Sequence, residues 1–247
     1  GGGHFGRRLV GVPFEFRSDA EEGAFYEERR ALLSDLNAVR LRHPELFPGS
    51  FRDLVRQGVG DGLFLVWIVR PLLEGAMDLD CYLATERPDA TLAEKVSVLR
   101  RVAEALSALE GGGYTLASLS PQLVFFVPPP ADAAAEPTPT QSGLTRPVAA
   151  LFDIVATVSG RRFRQELMGT ASAVKATPEA TGRVVAGFFE MAARMRVLAT
   201  LQGSEKDAFL QVSDAQSWAE RVDLLRWVET LGPALGVAHL KEGVLLR

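Results

Sequence analysis

Few residues of this chain have the type and spacing to do chemistry. Ser118, in "YTLASLSPQLVFF" (Tyr114 to Phe126), is a hydroxyl nucleophile in principle, but no G-x-S-x-G turn surrounds it to present the oxygen to a base. His4, His43 and His239 are scattered, and no two of them have metal-ligand or helix-face spacing. Cys81 is the only cysteine, which excludes an intrachain disulfide and a thiolate-rich metal site. Asp153, in "LFDIV", is a lone carboxylate among apolar residues, one oxygen donor for a hard cation. Glu27 and Glu28 lie on a helical pattern where a strand-borne cation could meet them, although charged residues on such a pattern usually form a solvated face. Gly1, Gly3 and Gly6 in "GGGHFG" have the spacing of a backbone cradle for phosphate.

These residues need elements to position them. "RRLVGVPFEF" (Arg7 to Phe16) is extended in character, and Pro13 suits an edge or a strand end. Phe25, Leu32, Leu36 and Val39 then recur at helical spacing, with Pro44 and Pro48 ending the run. "GLFLVWIVRPLL" reads as a buried strand entering a linker, and Gly75 to Leu83 as a turn entering a short helix. The clearest element is "TLAEKVSVLRRVAEALSALEGGG". Leu92, Val96, Leu99, Ala103 and Leu106 make one apolar stripe, Thr91 and Glu94 make a capping box, and Gly111 to Gly113 stop the helix. "LVFFVPPP" and "VAALFDIVATV" are strand candidates separated by a Pro-, Ala- and Thr-rich stretch expected to be a disordered insertion over 127–147. The chain after Thr177 reads as mostly helical, with "GRVVAGFFEMAARMRVLATL" and "SWAERVDLLRWVETL" the strongest segments.

Composition narrows the function classes. With 247 residues and 47% hydrophobic content, the chain is long enough for one large domain or two lobes with cores of their own. A net charge of −4 gives no general attraction to nucleic acid or an anionic membrane, and short basic pairs such as Arg100-Arg101 and Arg161-Arg162 read as solvated faces. The longest apolar run, Gly62 to Val69, is too short for a membrane span, and no segment reads as a signal peptide.

The order of strand, helix, strands, linker, long helix, hairpin and helices resembles the two-lobed protein kinase fold, and the Tyr114 to Phe126 stretch lies where that fold keeps its catalytic loop. Setting "SLSP" on the kinase pattern D-L-K-P places Leu116 at the His, Ala117 at the Arg, Ser118 at the catalytic Asp, Ser120 at the Lys and Leu123 at the metal-binding Asn. "LFDIV" is similar to the D-F-G region, with Asp153 at its Asp. "ATPE" (Ala176 to Glu179) is similar to A-P-E, and "DLLR" and "VAHLKEGVLL" to the last helices of the large lobe. "VGVPF" (Val10 to Phe14) resembles a strand of the apicomplexan rhoptry kinase-like family, many of whose members are pseudokinases.

The resemblance implies an α+β, two-lobed kinase-like fold: a reduced, β-rich N-lobe over 1–73 and a mainly helical C-lobe over 74–247. The ATP-anchoring lysine would fall at Gly11, or at Val12 with a slip of register, and no lysine occurs before Lys95. Too few residues separate Gly6 from Val10 for the strand and turn that normally follow a phosphate-covering loop. Phosphoryl transfer relies on that lysine, on Asp and Asn metal ligands and on an Asp base. Ser118 cannot act as a carboxylate, and Leu123 offers a metal nothing. Asp153 is then a vestigial metal ligand. The expectation is a pseudokinase: no cofactor, no ATP binding, no nucleic acid, no membrane span and no phosphotransfer. It would serve as a protein-interaction or allosteric module for a parasite or host protein, in a secreted compartment such as the rhoptry or parasitophorous vacuole. Two alternatives stand beside it: a kinase-fold enzyme of unconventional mechanism using Asp153, and an unrelated helical scaffold.

Overall fold

A computed structural model describes residues 9–44, 46, 47, 53–71, 75–127, 146–149 and 173–230. The chain is a mixture of helices and small antiparallel sheets and is mostly helical. Three sheets are present among the described residues.

The first sheet is built from β1 (Leu9–Phe16), β2 (Asp53–Gly60) and β3 (Leu63–Pro71), in the order β1-β3-β2. β1 is an edge strand, as Pro13 suggested, and Pro13 stands opposite Trp67. β2 has few strand-forming residues and no place in the sequence expectation, yet it pairs with β3 along almost its whole length. The turn joining them explains it. Asp61 (φ 51°) and Gly62 (φ 71°) both adopt the left-handed region, the conformation that a two-residue hairpin with the strands' own twist requires.

Between β1 and β2 runs α1 (Asp19–Arg42), capped by the Ser18 side chain on the Glu21 amide. Its buried Leu33, Leu36 and Val39 join Phe14, Leu54 and Val66 of the sheet in the core. The expected stripe is displaced slightly, with Phe25 and Leu32 only half-buried. Phe25 instead packs against Phe14 and Phe16, at ring centroid distances of 5.0 and 4.9 Å.

After β4 (Met77–Asp78) and α2 (Leu79–Thr85) comes α3 (Leu92–Glu110), with the expected Thr91–Glu94 capping box. It is the axis of the core: Val96, Leu99, Val102, Ala103, Leu106 and Leu109 are almost completely inaccessible. β5 (Tyr114–Leu116) pairs with β8 (Ala173–Lys175), and β6 (Val124–Val127) lies between β4 and β7 (Arg146–Ala149). The expected insertion is therefore trimmed at its margins, since Val127 and Arg146 pair as strand residues. The rest of it lies outside the described residues, as do Gly1, Gly3, Gly6, His4, Asp153 and residues 231–247.

The helical tail comprises α4 (Pro178–Arg194), α5 (Val197–Thr200), α6 (Gly203–Asp214) and α7 over residues 218–230. The expected helix from Gly182 to Leu201 is thus two helices, broken at Arg196, whose φ of 56° no helix continues through. "ATPE" is a helix start: Thr177 caps the Ala180 amide at 3.2 Å, and Pro178 takes the first turn, where its missing N–H costs nothing. No helix among the described residues is long and apolar enough to cross a membrane.

Candidate functional site

The stretch that carries the kinase resemblance is built by apolar packing. Leu116 ends β5 opposite Ala173. Ala117 and Leu119 are buried, Ser118 and Ser120 are half-buried, and a single 3-10 turn, Pro121–Leu123, leads into β6. Leu123, which the kinase resemblance would set at the metal-binding Asn, is buried in the core cluster. Ser118 has an interaction of its own. Leu116, Ala117, Ser118 and Leu123 are thus brought together on one loop. Gly11 lies in the separate three-stranded sheet, opposite Val69.

α4 holds this loop. Arg183 Nε donates to the Ala117 carbonyl at 3.1 Å. One helical turn further on, Gly187 lies so close to the loop that a Cβ there would stand 2.4 Å from the Leu119 carbonyl oxygen. On the other flank, Gln122 Nε2 donates to Asp80 of α2 at 2.8 Å, and Arg194 approaches the same carboxylate at 3.4 Å. Tyr82 of α2 stacks on Phe126 of β6 with centroids 3.5 Å apart. The arrangement fixes a backbone conformation and presents little chemistry on it.

Charged groups missed in the sequence lie around this frame. On α1 the expected Glu27 and Glu28 are exposed, and Glu27 only approaches Arg30 at 4.0 Å. The buried carboxylate is Glu22, 1% exposed, gripped by both nitrogens of an Arg56 fork from β2, with the Arg56 Nε donating at 2.7 Å. The hydrogen bond to Glu22 is the main reason that the Arg56 pKa is raised above its ordinary value. Its guanidinium also lies 5.1 Å over the Tyr26 ring. A helix carboxylate does meet a strand cation, but the cation comes from β2, where the kinase pattern would have it on β1.

A second link joins α1 to β5 and β8. The Tyr114 hydroxyl donates to Asp35 and accepts from Lys175 Nζ at 2.7 Å, and Lys175 approaches Asp35 at 3.9 Å. These contacts, the Tyr114 hydrogen bond first, raise the Lys175 pKa.

The Arg100-Arg101 pair is no solvated face. Arg100 donates to Glu104 at 2.5 Å and to Glu229 of α7 at 2.6 Å, and Arg101 donates to Glu104 at 3.0 Å. Arg226 adds a fifth member, 3.6 Å from Glu104. Burial alone would raise the Glu104 pKa, but the Arg101 and Arg100 hydrogen bonds and charges outweigh it and hold the carboxyl below its ordinary value. Above this cluster, a groove of about 570 Å³ opens between the end of α1, α3 and α7. Glu179, for which the kinase resemblance supplies no arginine, accepts from its own backbone N–H and the Thr177 hydroxyl, which lower its pKa.

Among the described residues, no three His, Cys, Asp or Glu side chains gather to hold a metal ion. Compared with known proteins, the chain matches no family model and no curated sequence.

Proposed function

We propose that this chain is a kinase-like scaffold that acts by binding a protein partner, without phosphoryl transfer. The observation that carries the reading is the loop from Leu116 to Leu123, where two leucine side chains packed into the core take the places that the kinase resemblance gives to a His and a metal-binding Asn. Leucine has no donor atom, so no change of rotamer can make Leu123 a metal ligand. The element order supports the same reading. A strand, a helix and a hairpin precede the long α3, and a short strand, a loop and a second hairpin follow it, as the kinase resemblance implies. At Gly11 β1 has no side chain with which to anchor a triphosphate, and Arg56 is already committed to Glu22. The rhoptry-like strand "VGVPF" extends the proposal to a secreted parasite protein with a parasite or host partner.

The test is a thermal-shift titration with ATP and Mg²⁺ beside a competent kinase. A ligand that binds the native state at a hundredfold excess over its Kd stabilises it by about 2.7 kcal/mol. No shift is expected here at about 1 mM nucleotide, which corresponds to a binding free energy weaker than about −4 kcal/mol. A shift that disappears in Asp153→Ala would favour the nucleotide-using alternative.

A further inference from the structure

Glu205 is a carboxylate in an unusual position. It lies in the first turn of α6, is only 6% exposed, and has no hydrogen-bond or ion-pair partner among the described residues. It lines a cavity of about 380 Å³, whose other described walls are Leu92, Ala93 and Val96 of α3, Leu201 before α6, and Val228 of α7. The two further polar residues at this cavity are already engaged. Glu229 accepts from Arg100 at 2.6 Å, and Thr91 Oγ1 is paired with Glu94 at 3.0 Å. The amides of the α6 N-terminus compensate part of a negative charge nearby, which lets a carboxylate be tolerated there. They do not explain why it faces a hollow walled largely by aliphatic side chains, with no cation of the described residues beside it.

We infer that this cavity is a binding site for an organic cation, an ammonium or guanidinium carried on a short aliphatic stem. The stem would lie against Leu92, Val96, Leu201 and Val228, and the head would meet Glu205. Both halves are required by the lining: an inorganic cation leaves the apolar walls unfilled, and a neutral hydrocarbon leaves the carboxylate unpaired. The volume is at the lower end of the range for small-ligand pockets, about 300–1,000 Å³, and suits a stem of a few carbons. The same chemistry is carried by a free alkylamine or by a lysine or arginine side chain of another polypeptide. The site is independent of the Ser118 loop and of the pseudokinase reading.

Calorimetric titration of the 247-residue chain with n-hexylammonium, n-butylguanidinium and hexanol tests it. The two cations are expected to bind and hexanol to bind more weakly. Glu205→Gln should weaken the cations about ten- to hundredfold, the range for a hydrogen bond to a charged group. Ala93→Phe, a plug on the exposed side of α3, should abolish binding with Glu205 intact. Equal affinity of wild type and Glu205→Gln, binding of hexanol as tight as that of n-hexylammonium, or no binding of either cation below about 10 mM would each overturn the inference. A peptide with one central arginine assigns the source. Tighter binding than n-butylguanidinium places the cation on a partner chain, and equal or weaker binding places it on a small molecule.

Discussion

Two glycines in one helix should respond to the same substitution with opposite signs. Gly182 and Gly187 both lie inside α4, where replacement of glycine by alanine ordinarily stabilises by up to about 1 kcal/mol. Around Gly182 a Cβ would meet nothing within 4 Å. At Gly187 the Cβ would stand 2.4 Å from the Leu119 carbonyl oxygen and 3.1 Å from the Leu119 Cβ. Carbon and carbonyl oxygen ordinarily approach no closer than about 3.3 Å, so helix and loop must separate by nearly an ångström. Neither side is the end of a flexible side chain, so the cost belongs at the upper end of overpacking penalties, about 3 kcal/mol. Set against the helix-propensity gain, Gly187→Ala should destabilise by about 2 kcal/mol. In equilibrium urea unfolding with an m of about 3 kcal/mol/M, that lowers the midpoint by about 0.7 M. Gly182→Ala should raise the midpoint by about 0.3 M on the same basis. A Gly187→Ala midpoint at or above wild type would refute the claim that α4 locks the Ser118 loop by backbone contact.

The Glu22–Arg56 fork gives a second test. Arg56→Ala leaves a 1%-exposed carboxylate unpaired and should lower the urea midpoint, by less than the loss of a fully buried pair because the Arg56 side chain is 49% exposed. Glu22→Leu combined with Arg56→Leu should recover most of that loss, since the desolvated charges are then removed together. Glu104 gives a pH dependence with a definite sign. Its carboxyl is held below its ordinary value in the fold, so its contribution is present above the unfolded pKa and lost as pH falls from about 5 through the folded value. Glu104→Gln should flatten the acid limb of the urea midpoint plotted against pH, and an unchanged limb would sink the assignment.

Local signals made some elements legible. The α3 stripe, its Thr91–Glu94 box and the glycine run after it sit within one stretch of chain, and each specifies the same helix. Strand β2 was not legible from "DLVRQGVG" itself, because its strand character comes from pairing with β3, although Asp61-Gly62 was a hairpin signal in plain view. Charge positions on α1 were ambiguous for a different reason. Glu22, Glu27 and Glu28 belong to one acidic run, and only the placement of Arg56 on the neighbouring sheet decides which is buried. The Arg100–Glu229 bond joins residues far apart in the chain, and no local pattern could announce it. For the loop, the outline was readable, while the grip of α4 on Ala117 and Leu119 was not.

The strand order of the first sheet constrains how the chain can be made. β3 is central in space and last in sequence, so β1 and β2 have no hydrogen-bonding partner in this sheet until β3 arrives. During synthesis, β1 and α1 emerge before β2 and β3, so Phe14 cannot meet Val66 until the hairpin has been translated. The β2–β3 turn is local and fast to form, whereas closing β1 onto β3 must enclose all of α1 in the loop. Assembly of the sheet is therefore a late event with a substantial entropic toll, governed by the closure of β1 onto β3 across α1 and not by the fast Asp61-Gly62 turn.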